Sequence, residues 1–359
     1  MKLFDTIAAM GHEQLVLAHD KSTGYRGIIA IHDTTLGPAL GGTRFWNYAS
    51  DEEAITDALR LARGMTYKNA VAGLNLGGGK SVIIGDNRTP NRERLFRAHG
   101  RFVDSLGGRY VTAEDVGTGT LDMDFVHMET NYVAGMLGKS GDPSPVTARG
   151  VFRAMQATSK HRWGTDDLSG RTVAIQGCGN VGYNLAKELH AVGANLIVAD
   201  IDAERVKRVV NEIGARAVSV AEIIDQDADI LAPCALGGGL NDDTIPKLRV
   251  ELVVGAANNQ LLEDRHGTML QDRGITYAPD YVVNAGGVIN VYSELAGWDR
   301  IRSLRKADEI YQTILGVFDI AKADGVTPHV AADRLAERRI QAVRGMTRTW
   351  PPFPNKSEA

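Results

Sequence analysis

The pattern of apolar and polar positions divides the chain into two parts of different periodicity. In the first part, two strand-like runs joined by a glycine-containing turn signal predict a hairpin, and further strands and helices follow it. The expected strands are residues 14–19, 25–32, a run directly after Lys80, and 109–112. The expected helices begin near residue 51 and cover about 91–106. A mixed α/β unit is therefore predicted for this part.

The helix expected near residue 51 has a clear start signal. Ser50 and Glu53 form a capping box, in which side chains satisfy backbone N–H groups of the first turn. Apolar residues from Ile55 to Met65 then recur at the spacing of one helix face. We expect the helix to bury that face and to place Lys68 at or just past its end.

From about residue 146 onward, short apolar runs alternate with helical periods, which predicts a doubly wound parallel sheet. Its strands are expected at residues 171–176, 195–199, 229–232 and 252–255. Two long helical patterns at about 299–323 and 327–344 close the chain, and the tail from Trp350 is expected to be an irregular arm. Two prolines beside a glycine at 140–145 indicate a domain boundary and hinge.

Composition narrows the possible functions. The 359 residues exceed what one hydrophobic core usually serves, so two domains are expected. A net charge of -4 with both signs interspersed argues against a nucleic-acid partner. Cys178 and Cys234 form no disulfide framework, and neither they nor the nine histidines show a metal-binding spacing. Apolar runs are too short for a signal peptide or a membrane span, so a cytoplasmic protein is expected.

A glycine-rich turn in the second part suits a dinucleotide. Gly177, Gly179 and Gly182 follow an expected strand in the order G-x-G-x-x-G and open a helix, so the backbone could approach a pyrophosphate. Asp200 ends the next strand, where it would accept hydrogen bonds from an adenosine ribose. The alternative is a tight turn that binds no nucleotide, and the full strand–turn–helix–strand context favours the dinucleotide.

Two lysines, Lys68 and Lys80, enclose the triple glycine at 77–79 with little other charge nearby. A lysine removed from water either binds an anion or loses its proton, so one could hold a substrate carboxylate and the other could exchange protons. The glycines would let a ligand approach closely. A phosphate-binding P-loop is disfavoured, because its first glycine would fall on Leu74 and an apolar strand follows. For Lys80 alone, a solvated lysine in a glycine turn stays an alternative.

Loops after the expected parallel strands are rich in small residues and carboxamides, among them Asn258 and Asn284. These amides would suit the carboxamide and ribose of a nicotinamide, but asparagine is also a common turn residue. The residues alone leave both interpretations open.

These motifs together resemble the amino-acid dehydrogenases that oxidatively deaminate glutamate, leucine, valine or phenylalanine with a nicotinamide cofactor. The resemblance covers nearly the whole chain, and residues 65–70 and 73–80 look like the branch that acts on leucine. The motifs occur in family order at Pro38–Arg44, Lys68–Lys80, Thr112–Asp115, 177–182, Ala256–Asn259 and Asn284–Gly287.

The resemblance implies an active site in the first part of the chain. Lys68 would bind the substrate α-carboxylate, Lys80 would act as the acid/base, and Asp115 would hold the amino group and share the proton transfers, unless Asp115 is only a structural ion-pair partner. Gly41 and Gly42 would give room beside the carboxylate. The side-chain pocket would be formed by Leu40, Met65, Ala113, Val288 and Val291. Contacts to NAD would come from Gly177, Gly179, Asn180, Val181, Gly182, Asp200, Thr147, Cys234, Ala235, Ala256, Asn258 and Asn284.

The implied reaction is hydride transfer from the substrate α-carbon to NAD. Lys80 would deprotonate the water that attacks the resulting iminium, and the carbinolamine would collapse to a 2-oxoacid and ammonia. Glutamate-specific members have a lysine at the position of Leu40, so branched aliphatic substrates are expected here. With no arginine between Asp200 and Arg205, NAD is expected rather than NADP.

The resemblance also implies a domain organisation with the cleft between two domains. Residues 1–142 and the C-terminal helix of about 327–359 would form the substrate-binding, catalytic and oligomerisation domain, and residues 143–326 would form a Rossmann domain for NAD. A homo-oligomer is expected, an octamer or at least a dimer. The alternatives are a sister enzyme for phenylalanine or glutamate, and a non-catalytic dinucleotide-sensing protein that would lack Lys80 or Asp115.

Overall fold

The computed structural model describes residues 2–136, 139 and 141–346. Ser140 of the expected hinge and the arm expected from Trp350 lie outside the described residues, as does the end of the segment 327–359. The described residues form two β-sheets and the helices that pack on them, which confirms the predicted α/β class.

The first sheet is mixed. Its strands are β1 (Gln14–Asp20), β2 (Tyr25–Asp33), β3 (Ala39–Trp46), β4 (Gly77–Ile84) and β5 (Tyr110–Glu114). The order across the sheet is β1-β2-β4-β3-β5, with β2 antiparallel to both β1 and β4, and β3 parallel to both β4 and β5. The hairpin β1–β2 is confirmed. Periodicity does not predict β3, because two glycines and Thr43 interrupt its apolar run.

The helices of this part are α1 (Leu3–Met10), α2 (Asp51–Val71), α3 (Arg92–Asp104) and α4 (Thr120–His127). Helix α2 begins as predicted: Ser50 Oγ accepts a hydrogen bond from the Glu53 backbone N–H at 3.1 Å, and the Glu53 carboxylate accepts one from the Ala49 N–H at 2.8 Å. Lys68 lies in its last turn. Helices α1 and α4 have only 8 residues each, too few for a clear period to predict them.

The triple glycine belongs to strand β4, so the prediction that the strand begins after Lys80 is wrong. A Cβ atom on Gly78 would overlap the backbone nitrogen of Thr66 in α2, and one on Gly79 would lie 2.7 Å from the Tyr110 ring. These two glycines are therefore required for helix and ring packing on the sheet, rather than for access of a ligand.

The second sheet is entirely parallel. Its strands are β6 (Thr172–Gln176), β7 (Asn195–Ala199), β8 (Arg216–Ala217), β9 (Ile230–Pro233), β10 (Leu252–Val253) and β11 (Thr276–Tyr277). The order β11-β10-β9-β6-β7-β8 confirms the predicted doubly wound sheet. Strand order reverses between β6 and β9, and such folds bind ligands in the crevice outside the carboxyl ends of those strands.

The helices that accompany this sheet are α5 (Ser144–Trp163), α6 (Asn180–Ala191), α7 (Ala203–Ile213), α8 (Arg265–Asp272), α9 (Asp280–Val283), α10 (Gly286–Leu295), α11 (Arg300–Asp308), α12 (Ile310–Asp324) and α13 (Pro328–Arg344). The helix predicted at 299–323 is thus two helices that meet at Glu309. Helix α13 returns to the first part and packs on α2, where Tyr67 donates its hydroxyl to Glu337 at 2.8 Å. One continuous apolar core extends from the second sheet to this contact.

Candidate active site

A cleft of about 350 Å³ opens between the first sheet and helix α10. Side chains from β3, β4, α2 and α10 line it, together with residues at the ends of β5 and β10. The predicted site residues that it brings together are Leu40, Gly41, Gly42, Met65, Lys68, Lys80, Ala113, Asp115, Asn258, Val288 and Val291.

The parallel pairing of β3 with its neighbours aligns the polar groups of the cleft. Gly42 on β3 is paired with Ala113 on β5, and Asp115 directly follows that strand. On the other side, Thr43 is paired with Ser81, the residue after Lys80 on β4. The sheet therefore brings Lys80 and Asp115 to opposite sides of the glycine segment of β3.

Lys80 and Asp115 form an ion pair in the cleft. Lys80 Nζ lies 2.8 Å from Asp115 Oδ2, and the Lys80 side chain is only 6% exposed. Burial holds the pKa of Lys80 below its ordinary value, although Asp115 partly opposes this. Burial also acts to raise the pKa of Asp115, but the cations of Lys80 and Arg44 outweigh it and the pKa lies below its ordinary value. A buried lysine whose pKa is lowered in this way can give and take a proton.

Lys68 lines the same cleft without a carboxylate in contact. Its ammonium forms no ion pair with any residue in the part of the chain that the structure describes. Burial lowers the pKa of Lys68 to about 8, and Asp280 is the main opposing influence. An uncompensated, partly buried ammonium is suited to bind an anionic group of a ligand.

Apolar side chains form another wall of the cleft. Leu40, Ala113 and Val288 are buried, and Met65 and Val291 are partly buried beside the core. Leu61 also lines the cleft, although sequence reasoning did not include it. Its spacing of four residues before Met65 on α2 is the signal that could have identified it.

The glycine loop after β6 has the geometry of a dinucleotide-binding turn. Gly177 has a φ of +106°, a conformation that favours glycine. A Cβ atom on Gly182 would overlap the Gly177 carbonyl oxygen, whereas one on Gly179 would have a single neighbour, at 3.9 Å. The Gly179 side of the loop is therefore open. Asn180 and Val181 begin helix α6, so their N–H groups belong to its positive end.

Asp200 holds this loop from the end of β7. Its Oδ2 accepts a hydrogen bond from the Cys178 N–H at 2.6 Å, and its Oδ1 accepts one from the Asp202 N–H at 2.9 Å. A carboxylate has lone pairs for further donors, so these bonds leave room for a ribose hydroxyl. Cys234 and Ala235 lie on the opposite side, where a Cβ atom on the first glycine of the loop would come within 3.0 Å of both.

The two predicted asparagines are hydrogen-bonded to each other. Asn284 Nδ2 donates to Asn258 Oδ1 at 2.8 Å and to the Ala256 carbonyl at 2.9 Å. Asn284 is 4% exposed, and its Oδ1 has no hydrogen-bond partner among the described residues. A buried acceptor left unpaired costs about 1–3 kcal/mol, so a ligand amide that donates to it would be stabilised. Thr147, on α5, donates its hydroxyl to the Pro143 carbonyl at 3.0 Å.

Arg44 is a charged residue of the cleft that sequence reasoning also did not include among the site residues. Its Nε lies 3.1 Å from Asp115 Oδ2, and its Nη1 lies 2.8 Å from Asp57 Oδ2. Tyr48 donates its hydroxyl to the same oxygen of Asp57 at 2.7 Å. Arg44 ends the motif Pro38–Arg44, which was an available signal. Asp57 and Tyr48 carry no such signal, because only the fold brings them to Arg44.

Two kinds of feature are not found in the described ranges. Within residues 2–136, 139 and 141–346, no three His, Cys, Asp or Glu side chains are grouped so that they could hold a metal ion. Over the same ranges, no helix has both the length and the apolar character needed to cross a bilayer.

Both halves of the chain match known protein families. Residues 12–132 match the Glu/Leu/Phe/Val dehydrogenase dimerisation domain, and residues 198–315 match the Glutamate/Leucine/Phenylalanine/Valine dehydrogenase family. Residues 146–242 also match the NAD binding domain of D-isomer specific 2-hydroxyacid dehydrogenases.

Individual relatives align over almost the full length. The chain is 58% identical to the leucine dehydrogenase of Bacillus subtilis over 347 residues, which cover 96% of this chain and 95% of the relative. It is 53% identical to the valine dehydrogenase of Streptomyces coelicolor over 344 residues, which cover 93% of each. The crystal structure of L-tryptophan dehydrogenase from Nostoc punctiforme matches with a TM-score of 0.87 at 48% identity, covering 95% of this chain and 99% of that chain.

Proposed function

The chain belongs to the Glu/Leu/Phe/Val dehydrogenase family, and we propose that Lys68, Lys80 and Asp115 carry its chemistry in the cleft. It is an NAD-dependent amino-acid dehydrogenase that catalyses the reversible oxidative deamination of branched-chain L-amino acids to 2-oxoacids and ammonia. The observation that supports these residue roles is the Lys80–Asp115 ion pair in the same cleft as a lysine without a carboxylate partner.

Lys68 is the group we assign to the substrate α-carboxylate. Its burial makes an ammonium without a counter-ion costly, and a bound carboxylate removes that cost through a charge-assisted hydrogen bond. Asp115 is assigned to the substrate amino group. Its Oδ1 takes part in neither of its two ion pairs, so this oxygen is the one we expect to accept a hydrogen bond from the amino group.

Lys80 is assigned to proton transfer. Burial already lowers its pKa, so loss of a proton at mildly alkaline pH is less costly than for a solvated lysine. The neutral amine then takes a proton from the water that attacks the substrate α-carbon. In the reverse reaction, the ammonium returns that proton. Asp115 keeps Lys80 aligned in both directions.

When bound, NAD supplies the acceptor for the hydride that leaves the substrate α-carbon. We assign its pyrophosphate to the loop 177–182, its adenosine ribose to Asp200 and its nicotinamide carboxamide to Asn284. The open side of the loop at Gly179 and the unpaired Oδ1 of Asn284 support this fit. We place Cys234 and Ala235 beside the cofactor because both residues lie against this glycine loop.

We propose that leucine, isoleucine and valine are the preferred substrates. The cleft offers buried Leu40, Ala113 and Val288 to a substrate side chain, which favours an apolar group. Glu114 also lines the cleft, and its carboxylate would repel a second carboxylate. Glutamate is therefore expected to be a poor substrate.

We further propose the domain assignment and a cytoplasmic homo-oligomer. Residues 1–142 and the C-terminal helix would form the substrate-binding domain, which the packing of α13 on α2 supports. Residues 143–326 would form the domain that binds NAD. Light scattering should give a mass eight times that of the 38.7 kDa chain, and a monomer mass would contradict self-association.

The assigned activity is tested by mixing the protein with NAD and L-leucine and following absorbance in the NADH band. We expect NADH and ammonia to form in equal amounts. A protein that bound NAD and formed neither product would instead be a dinucleotide-sensing protein.

A further inference from the structure

Asp115 is shared by two cations. Lys80 Nζ at 2.8 Å and Arg44 Nε at 3.1 Å both contact its Oδ2. On the side away from Asp115, Arg44 Nη1 contacts Asp57 Oδ2 at 2.8 Å. The signs of the charges therefore alternate along Lys80, Asp115, Arg44 and Asp57, from the cleft toward helix α2.

Asp57 is itself held in place on α2. Its Oδ2 also accepts a hydrogen bond from the Tyr48 hydroxyl at 2.7 Å, and Arg60 contacts its Oδ1 at 3.3 Å. The Asp57 side chain is 14% exposed and that of Arg44 is 23% exposed, so solvent screens this cluster only in part. Arg44 is thus fixed between a helix and the segment after β5.

We propose that Arg44, anchored by Asp57, is a positioning residue that holds the Asp115 carboxylate with one oxygen toward Lys80 and the other available to the substrate amino group. This inference rests on the proposed roles of Lys80 and Asp115. Arg44 acts through Asp115, and no contact of its own with the substrate is required.

The same arrangement affects the proton affinity of Lys80. Burial is the largest cause of the lowered pKa of Lys80, Arg44 lowers that pKa further, and Asp115 and Asp57 oppose the lowering. Lys68 on α2 is another cation near Lys80. Strand β2 pairs the uncharged Ala30 with Lys80.

Two neighbouring substitutions should therefore act in opposite directions. Without Arg44, Lys80 is the one cation of the described residues left on Oδ2 and a like charge near Lys80 is gone, so the pKa of Lys80 should rise. Without the charge of Asp57, Arg44 is no longer balanced and competes more strongly for Asp115, so the pKa of Lys80 should fall. Because deamination requires neutral Lys80, the rise of kcat with pH should move to higher pH in the first case and to lower pH in the second.

The experiment measures kcat for L-leucine against pH at saturating NAD. We expect the rising limb to move up by about 1 pH unit in Arg44→Met and down in Asp57→Asn, the lower end of what a neighbouring charge produces. Arg44→Lys should move it less than Arg44→Met, because lysine keeps the charge but cannot contact two carboxylates in a fork. Arg97→Met is the matched control. Arg97 pairs with Glu93 and Glu129 outside the cleft, so the rising limb of kcat against pH should not move in this variant.

A uniform loss of kcat at every pH in both Arg44→Met and Asp57→Asn would overturn the inference. Structural damage lowers kcat but does not change the pH at which kcat rises. Asp57→Asn preserves the shape of the side chain. If Arg44→Met fails to fold, a shift of the rising limb to lower pH in Asp57→Asn supports the inference, and a shift to higher pH or no shift overturns it. Lys80→Ala is measured alongside. Wild-type kcat in Lys80→Ala would overturn the proposed site roles, whereas an inactive Lys80→Ala without the opposite shifts would overturn only the role of Arg44.

Discussion

Gly78 packs directly against the backbone of Thr66, where any Cβ atom on Gly78 would overlap the Thr66 nitrogen. Lys68 follows Thr66 by two residues on α2, and Lys80 follows Gly78 by two residues on β4. This backbone contact therefore sets the spacing between the lysine proposed to bind the substrate carboxylate and the lysine proposed to move the proton.

Replacing Gly78 with alanine should push α2 away from β4. We expect overpacking to cost about 1–3 kcal/mol of stability and displacement of the lysines to lower kcat/KM for leucine by about 100-fold. Thermal unfolding and steady-state kinetics measure the two effects. The control is Gly316→Ala on α12, where an added Cβ atom meets nothing within 4 Å and stability should be unchanged or higher by up to about 1 kcal/mol. Equal melting temperatures for the two variants would contradict the packing argument.

Replacing each of the two active-site lysines with alanine should change a different kinetic constant. Lys68→Ala should mainly raise KM for leucine, because the carboxylate contact is made in both the ground state and the transition state. Lys80→Ala should mainly lower kcat, by at least about 100-fold, because a general base is lost. Steady-state kinetics of both variants with leucine check this. Mild and equal changes of both constants in both variants would argue against the proposed roles.

Lys68 should also make substrate binding depend on pH. Its pKa is lowered to about 8, so in the free enzyme the ammonium is lost as pH rises through that value. KM for leucine should therefore rise above about pH 8, while kcat, which reports the bound complex, should not fall over that interval. Lys68→Arg stays charged, so its KM should remain flat. The same rise of KM in Lys68→Arg would attribute the effect to the substrate amino group instead.

Asp200 should disfavour NADP, because a 2′-phosphate would be placed against its carboxylate. Asp200→Ser should narrow the gap between kcat/KM for NAD and for NADP. The carboxylate also binds the Cys178 N–H, so the same substitution should raise KM for NAD. Kinetics with both cofactors test this, and a wild-type enzyme that used them equally well would refute the electrostatic explanation.

Short sequence motifs correctly predicted those structural elements that depend on residues close together in the sequence. The cap at Ser50, the hairpin β1–β2 and the glycine turn after β6 each depend on residues close in sequence, and the structure confirms all three. Strand β3 was not predicted, because its glycines are required by packing against residues that are distant in the sequence. Gly42, for example, lies against the backbone of Glu114.

The site was predicted unevenly for a related reason. Sequence motifs identified Lys80 and Asp115 as site residues, and the fold places these two side chains in contact. The contact from Arg44 to Asp57 could not be predicted, because it joins β3 to α2 through side chains that no periodicity links. The break between α11 and α12 at Glu309 was also missed, since both helices continue one apolar pattern without glycine or proline between them.

The most direct test of the proposed substrate specificity is kcat/KM for leucine, valine, phenylalanine and glutamate, measured with NAD under one set of conditions. Leucine and valine should lead and differ from each other by no more than about 10- to 200-fold, the scale of one methylene. Glutamate should be rejected, because its second carboxylate would be buried without a partner, and Leu40→Lys should raise its relative rate. Phenylalanine ahead of leucine would make the protein a phenylalanine dehydrogenase, and wild-type glutamate activity within about tenfold of leucine would contradict the apolar pocket.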